Sequence, residues 1–299
     1  MRAVKSIFRH AALTAILVFF AASQGCQPQQ EKASDAAFIP QWGVCTGLDN
    51  TAKLQNAGYD YIELGVQRFL VPQSSDEDFA KNLLEAQSVK APLYACNSFL
   101  PSSLICVGPA ADHPAILTYA ETAFRRAQAA GIRVIVFGSG SSRRVPDGFE
   151  PAQAQRQFVD LLKKMGPIAE KYGVIIAIEP LNKKECNFIN TVAEGTAIAR
   201  EVNHPNIRVL ADFYHMALED EGPDSIRAAG RLLAHCHIAE KEGRKWPGAS
   251  GFDFTGYFKA LKDIRYRGCI SIEGRADDFD RQLPEALAYM KSQWETAGL

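Results

Sequence analysis

From about residue 38 onward, short apolar runs alternate with stretches whose apolar positions recur every three or four residues. The apolar runs predict strands at Trp42–Thr46, Tyr61–Leu64, Pro92–Cys96, Arg133–Phe137, Ile175–Glu179, Arg208–Asp212, Leu233–Ile238 and Cys269–Glu273. Between them the period changes to that of a helix. Phe158, Leu161, Leu162, Met165, Ile168 and Ala169 trace one such face, and similar patterns lie near 48–57, 79–89, 116–130, 191–202, 226–232, 255–264 and 283–296. Gly58, Gly131, Gly173 and Gly268 fall between a helix and the next strand, where a left-handed helix-ending residue belongs. Eight such β-α units predict an α/β fold, a single closed (β/α)8 TIM barrel over 38–299. An open doubly wound sheet would bring a Gly-rich phosphate loop after its first strand, and Gly43-Val44-Cys45-Thr46-Gly47 matches one poorly.

The start of the chain breaks this pattern. Arg2, Lys5 and Arg9 precede an apolar run, Ala11 to Ala22, that is too short to span a bilayer comfortably. Ser23-Gln24-Gly25-Cys26 then resembles a bacterial lipoprotein signal. Residues 1–25 are therefore expected to be a signal peptide, Cys26 the lipidated new N-terminus, and 26–37 a polar tether. The chain is expected to be exported, held at the membrane only through that lipid, in the periplasm or at the cell surface. The composition, 47% hydrophobic and 22% charged, supports a large core and excludes disorder, collagen and small disulfide scaffolds. A net charge of −1 lacks the broad positive field of a general nucleic-acid binder. The cysteines after Cys26 lie mostly in or beside apolar runs and form no CxxC pair, so they read as buried free thiols.

In such a barrel the reactive groups sit where strands end. Strand five ends in Glu179, strand six in Asp212 and strand eight in Glu273, while strand seven carries His235 and His237. Three carboxylates buried together need something positive between them. A divalent cation meets that need, and three oxygens with one imidazole suit Mn²⁺ or Mg²⁺, with Co²⁺ or Zn²⁺ also compatible. His235 and His237 point the same way along the strand. His237 is nearer the C-terminal end and is the expected ligand; His235 lies a layer deeper, able to hydrogen-bond a ligand.

These residues resemble the xylose-isomerase-like barrels, the sugar isomerase/epimerase superfamily that includes ketose 3-epimerases and endonuclease IV. The resemblance runs from about Trp42 to Trp294. It is carried by Glu179-Pro180-Leu181-Asn182 with Glu185, by Asp212-Phe213-Tyr214-His215, by His237 with Glu240, Arg244 and Pro247-Gly248, and by Tyr266-Arg267-Gly268 leading into Glu273. It implies that Glu179, Asp212, His237 and Glu273 hold one divalent metal ion, Mn²⁺ preferred. It further implies that Glu179 and Glu273 act as acid and base on opposite faces of a sugar, and that His215, Arg244 and Glu185 contact substrate. Arg244 stands one residue further from His237 than the epimerase pattern places it.

Enolisation beside a carbonyl, helped by a cation and a carboxylate base, then gives epimerisation or isomerisation of a ketose or keto-sugar. The same enolate beside a 3-keto group also expels the substituent at C1, which would make the chain a 3-keto-glycoside lyase. A non-catalytic sugar-binding lipoprotein is the remaining alternative. Glu63, at the end of strand two, is expected to bind substrate. The stretch Gly138-Ser139-Gly140-Ser141-Ser142-Arg143-Arg144 is expected to clasp an anionic or hydroxyl-rich group, with Arg143 reaching it. Phe99, Trp246 and Phe252 are each expected to pack in the core, with an apolar wall for a sugar face as the alternative. Endonuclease-type chemistry needs more histidines than the chain provides after its signal.

Overall fold

The computed structural model describes residues 39–298. The expected signal segment 1–25, Cys26 and the tether 26–37 lie outside the described residues. Eight parallel strands close on themselves: β1 (Gln41–Cys45), β2 (Tyr61–Gly65), β3 (Leu93–Asn97), β4 (Val134–Phe137), β5 (Ile175–Ile178), β6 (Ile207–Asp212), β7 (Leu233–Ile238) and β8 (Cys269–Ile272), with β8 pairing back to β1. The helices between and after them are α1 (Thr51–Ala57), α2 (Asp76–Ser88), α3 (His113–Ala129), α4 (Gly140–Arg143), α5 (Pro151–Lys171), α6 (Val192–Val202), α7 (Phe213–Leu218), α8 (Asp224–Ala229), α9 (Thr255–Asp263) and α10 (Phe279–Thr296). Among the described residues no helix is long and apolar enough to cross a membrane.

Strand alternation divides the apolar residues into two regions. Ile62, Leu64, Ile135, Phe137, Ile176 and Ile178 join helix residues such as Phe124 and Leu162 in the large layer between sheet and helices. Ala95, Val134, Val136, Ala177, Leu210 and Ala234 form a smaller cluster inside the barrel. Gly58, Gly131 and Gly173 take the expected left-handed turn, but at the fourth such junction Arg265 (φ 53°) does so instead of Gly268.

Two register slips shape the barrel mouth. β2 shifts by one residue against β3 between Ile62 and Glu63, and β6 against β7 between Val209 and Leu210. Such irregularities re-aim the side chains that follow. After the second slip Asp212 pairs directly with His237. The strand-three boundary also falls one residue later than its apolar run predicts, which puts Asn97 at the strand end.

The connection from β2 to α2 is held from below by Arg126 of α3. Its buried guanidinium donates to the carbonyls of Leu70 (2.8 Å), Val71 and Ser74 (2.9 Å) and to Asp76 Oδ1 (2.8 Å). These bonds satisfy loop carbonyls that have no strand or helix partner.

Candidate active site

Each member of the strand-end cluster is aimed by a local feature. Glu179 directly follows β5, and Gly138 after β4 leaves it room: a Cβ at Gly138 would stand 2.1 Å from Glu179 Oε2. Asp212 caps α7, with Oδ1 accepting from the backbone N–H of Tyr214 (2.8 Å) and His215 (3.3 Å). Its other oxygen is left to the cluster, 3.4 Å from Arg244 Nη2. His237 places Nδ1 3.1 Å from Glu179 Oε1 and 3.3 Å from Glu273 Oε2. Glu273 follows β8; Asn97 Nδ2 donates to its Oε1 at 2.8 Å, and Arg244 Nη2 pairs with its Oε2.

Glu179, Asp212, His237 and Glu273 thus each offer one ligand atom, all within 4.8 Å of one another. Three carboxylate oxygens and one imidazole nitrogen converging in a mostly buried space fit a divalent cation, because the carboxylates repel one another without one. A second grouping of Cys45, Glu63 and His237 meets the same distance, but it shares His237, and both Glu63 oxygens already accept hydrogen bonds.

The two glutamates differ electrostatically. Burial, with the charge of Glu273 beside it, pushes the Glu179 carboxyl above the usual range. Burial acts the same way on Glu273, but His237 and then Arg244 outweigh it and draw the carboxyl down to about 2. Opposed environments of this kind separate an acid from a base.

Around this cluster the implied substrate contacts come together. Asn182 donates to His215 Nδ1 (2.8 Å) and to Glu185 Oε1 (2.9 Å), so one amide orients both. His215 is then left with Nε2 buried and without a hydrogen-bond partner, 3.5 Å from Asp212 Oδ2. Arg244 reaches the cluster despite its extra residue because its backbone is left-handed (φ 53°). Its carbonyl lies so close to Gly274 that a Cβ there would stand 2.6 Å away. Its guanidinium stacks on Tyr214, 4.8 Å from the ring centroid, with Nη1 3.8 Å from Glu185 Oε1.

Of the remaining positions, Glu63 and Arg143 fall elsewhere than expected. Glu63 is in mid-strand, not at the rim, and its side chain is wholly buried against His235, His237 and Ser271. His235 lies a layer deeper, as its place in the strand predicts; it is fully buried, with Nε2 on Glu63. Arg143 does not line an open clasp. The stretch winds into α4, and the buried guanidinium donates to the carbonyls of Gly138 and Glu179, both at 2.6 Å, so it supports the base of Glu179. Phe99 and Trp246 are buried, the one packed on Phe124 and Phe137 and the other on Phe279, and Phe252 packs on Phe254. Asn97, Gly138 and the bridging role of Asn182 were not singled out from the sequence. Asn182 stood in a quoted motif, but an Asn at a strand end and a Gly in a Gly-Ser run carry no signal of what they face.

A cavity of about 800 Å³ opens beside the cluster at the C-terminal ends of β1, β2 and β3. Cys45, Thr46, Asp49, Gln67, Arg68 and Asn97 contribute to its wall.

The comparisons with known proteins agree with this geometry. A family model described as xylose isomerase-like TIM barrel matches residues 51–293. The L-ribulose 3-epimerase of Methylomonas sp. (strain DH-1) is 30% identical over 264 residues, 85% of this chain and 87% of that one. The 3-dehydro-D-guloside 4-epimerase of Escherichia coli (strain K12) is 30% identical over 136 residues, 44% of this chain and 52% of that one. The crystal structure of D-psicose 3-epimerase in the presence of D-fructose superposes with a TM-score of 0.75 at 22% identity, covering 85% of this chain and 99% of that one, and so shares the fold. The chain belongs to the xylose isomerase-like TIM barrel family, and its relatives there are sugar epimerases and isomerases.

Proposed function

We propose that the chain epimerises or isomerises a ketose or keto-sugar through an enediolate. One divalent ion, Mn²⁺ in preference to Mg²⁺, Co²⁺ or Zn²⁺, would be held by Glu179, Asp212, His237 and Glu273. The observation that carries this reading is the convergence of four donor atoms from four consecutive strands within 4.8 Å, beside a cavity at the barrel mouth. A cation there would supply positive charge to the carbonyl and neighbouring hydroxyl oxygens, which favours loss of the proton alpha to the carbonyl.

The chain's own groups do the rest. One of the carboxylates Glu179 and Glu273 removes the proton, a contribution of about 10²–10⁴-fold for a positioned base. The other, in its protonated form, gives its own proton from the opposite side, yielding the epimer and leaving each carboxylate in the other's starting state; delivery to the adjacent carbon gives the isomer. His215 Nε2, which makes no hydrogen bond within the protein, is available to a substrate oxygen, as are Arg244 and Glu185 at the opening. The test is incubation of the Mn²⁺-supplied full-length chain with L-ribulose, D-psicose or D-fructose in D2O. Deuterium at the carbon beside the carbonyl, abolished in Glu179→Gln, is the expected result. Sugar binding without exchange from any ketose or keto-glycoside would leave a non-catalytic sugar-binding protein.

One observation favours a second reading, a 3-keto-glycoside lyase. The cavity of about 800 Å³ is several times the roughly 200 Å³ filled by one hexose, taken as six or seven water-sized volumes of about 30 Å³. A relative is named as a 3-dehydro-D-guloside 4-epimerase, which speaks for a glycoside substrate and leaves the reaction type to the product. Release of free sugar from a 3-keto-glycoside, rather than its epimer, would select the lyase. The proposal includes export and a lipid at Cys26. Incorporation of labelled palmitate that is lost in Cys26→Ser tests that part.

A further inference from the structure

Beneath the carboxylate cluster lies a second, buried polar layer, which borders the adjoining cavity at Glu63. Glu63 sits at its centre, with its side chain 0% exposed. Its Oε1 is 3.1 Å from His237 Nε2, and its Oε2 is 2.8 Å from His235 Nε2. Ser271 Oγ donates to Oε2 at 2.5 Å, and the Tyr61 hydroxyl is 2.6 Å from Ser271 Oγ. Tyr61, Ser271 and His235 are all buried.

A carboxylate is tolerated in such a place only where donors meet it. Here two imidazoles and one hydroxyl converge on its two oxygens. An ionised carboxylate only accepts, so each imidazole must turn an Nε2–H toward it. For His237 this fixes the other nitrogen, Nδ1, as the atom facing Glu179 and Glu273. His235 and Ser271 both bind Oε2, which prevents the carboxylate from rotating away from His237. The register slip between Ile62 and Glu63 sets the side chain at this level of the barrel.

We infer that Glu63 is a positioning residue, which locks the tautomer and ring plane of His237 so that Nδ1 points into the Glu179–Asp212–Glu273 cluster. Both of its oxygens are taken up by His237, His235 and Ser271. The inference rests on the proposed reading of that cluster as a cation site. A carboxylate behind a ligating histidine raises its basicity and orients it, and losing such a partner typically costs about 10–100-fold in metal affinity.

The test measures Mn²⁺ affinity of the full-length chain from the electron paramagnetic resonance of the free ion. It is paired with the unfolding midpoint in excess chelator. In Glu63→Gln a single amide oxygen accepts from one imidazole, and the amide hydrogens oppose the other. Mn²⁺ affinity is expected to fall about 10–100-fold while the chelator midpoint moves by only a few degrees. Ser271→Ala keeps the charge and the His237 contact but leaves Oε2 held by His235 alone, and a smaller loss of several-fold is expected. Folded variants that both bind Mn²⁺ as tightly as the unaltered chain overturn the inference and leave the cation reading standing. If Glu63→Gln does not fold, Ser271→Ala decides alone, and unchanged affinity in it rejects the inference. An unaltered chain that takes up no Mn²⁺ overturns the cation reading and this inference with it.

Discussion

Asn97 and Glu273, three strands apart around the barrel, are joined by a hydrogen bond of 2.8 Å from the amide Nδ2 to the carboxylate Oε1. With Arg244 on the other oxygen, the Glu273 carboxylate is held at both ends. A hydrogen bond to a charged group is worth about 1.5–3 kcal/mol. Asn97→Ala is therefore expected to lower kcat about tenfold or more, on whichever ketose shows exchange, with a smaller effect on KM. Asn97→Asp should be worse, because it sets a like charge against Glu273. Steady-state kinetics of the two variants check this, and an unchanged kcat in Asn97→Ala contradicts it.

Gly138 is needed for space rather than for backbone freedom. A methyl group there would overlap Glu179 Oε2 and displace the carboxylate. Gly138→Ala should cost about 1–3 kcal/mol in stability, as overpacking does. Its larger effect should be on the cluster, with Mn²⁺ uptake and exchange both lost at temperatures where circular dichroism shows the fold intact.

Asp212 serves two purposes through its two oxygens, and substitution separates them. Asn is as good a helix cap as Asp, so Asp212→Asn should keep α7 and most of the stability. It should nonetheless weaken Mn²⁺ binding strongly, since an amide replaces a carboxylate in the cluster. Asp212→Ala should lose the ion and a further ~1 kcal/mol of stability from the uncapped helix. Equal melting of the Asn and Ala variants in chelator would contradict the capping role.

Metal-free stability should fall with rising pH. Burial and Glu273 hold the Glu179 carboxyl above its ordinary value. Burial opposes charge on His237, but Glu63 and Glu273 hold its imidazole well above the ordinary value. Stability from such raised groups is complete below their unfolded values and is lost as pH climbs through the folded ones. Glu273, drawn down to about 2, contributes above the ordinary carboxylate range and loses that only as pH falls toward 2. A cation takes the place of the lost protons. The rise in Tm on adding Mn²⁺ should thus be larger near pH 8 than near pH 5, by about 3–6 °C for a tenfold or greater change in affinity. Differential scanning fluorimetry at matched ionic strength measures it.

Where the sequence was informative, the reason is periodicity. A parallel barrel repeats one unit, so eight apolar runs and their C-terminal residues define both the fold and which of Glu179, Asp212, His237 and Glu273 share an end. What pattern does not carry is how far a residue lies from the strand end. A slip of one residue leaves the apolar pattern of β2 unchanged yet moves Glu63 relative to β3. For the same reason Arg143 reads as a loop arginine, although α4 turns it inward beneath Glu179. Asn97 and Asn182 act through partners 176 and 33 residues away, and nothing local in the chain announces such a pairing.

The four converging donors hang from the strands between 175 and 273, whereas much of the wall of the adjoining cavity comes from residues 45–49 and 64–69. On the proposed reading, much of the wall facing the sugar is thereby encoded apart from the cation-holding strands, while His215, Glu185 and Arg244 are the sugar contacts that lie among them. Arg126 clamps the loop after β2 from behind through the backbone carbonyls of Leu70, Val71 and Ser74, not through the side chains of Gln67 or Arg68. Retargeting this barrel would begin with those early loops while keeping the four donors at and beyond the end of β5 in place.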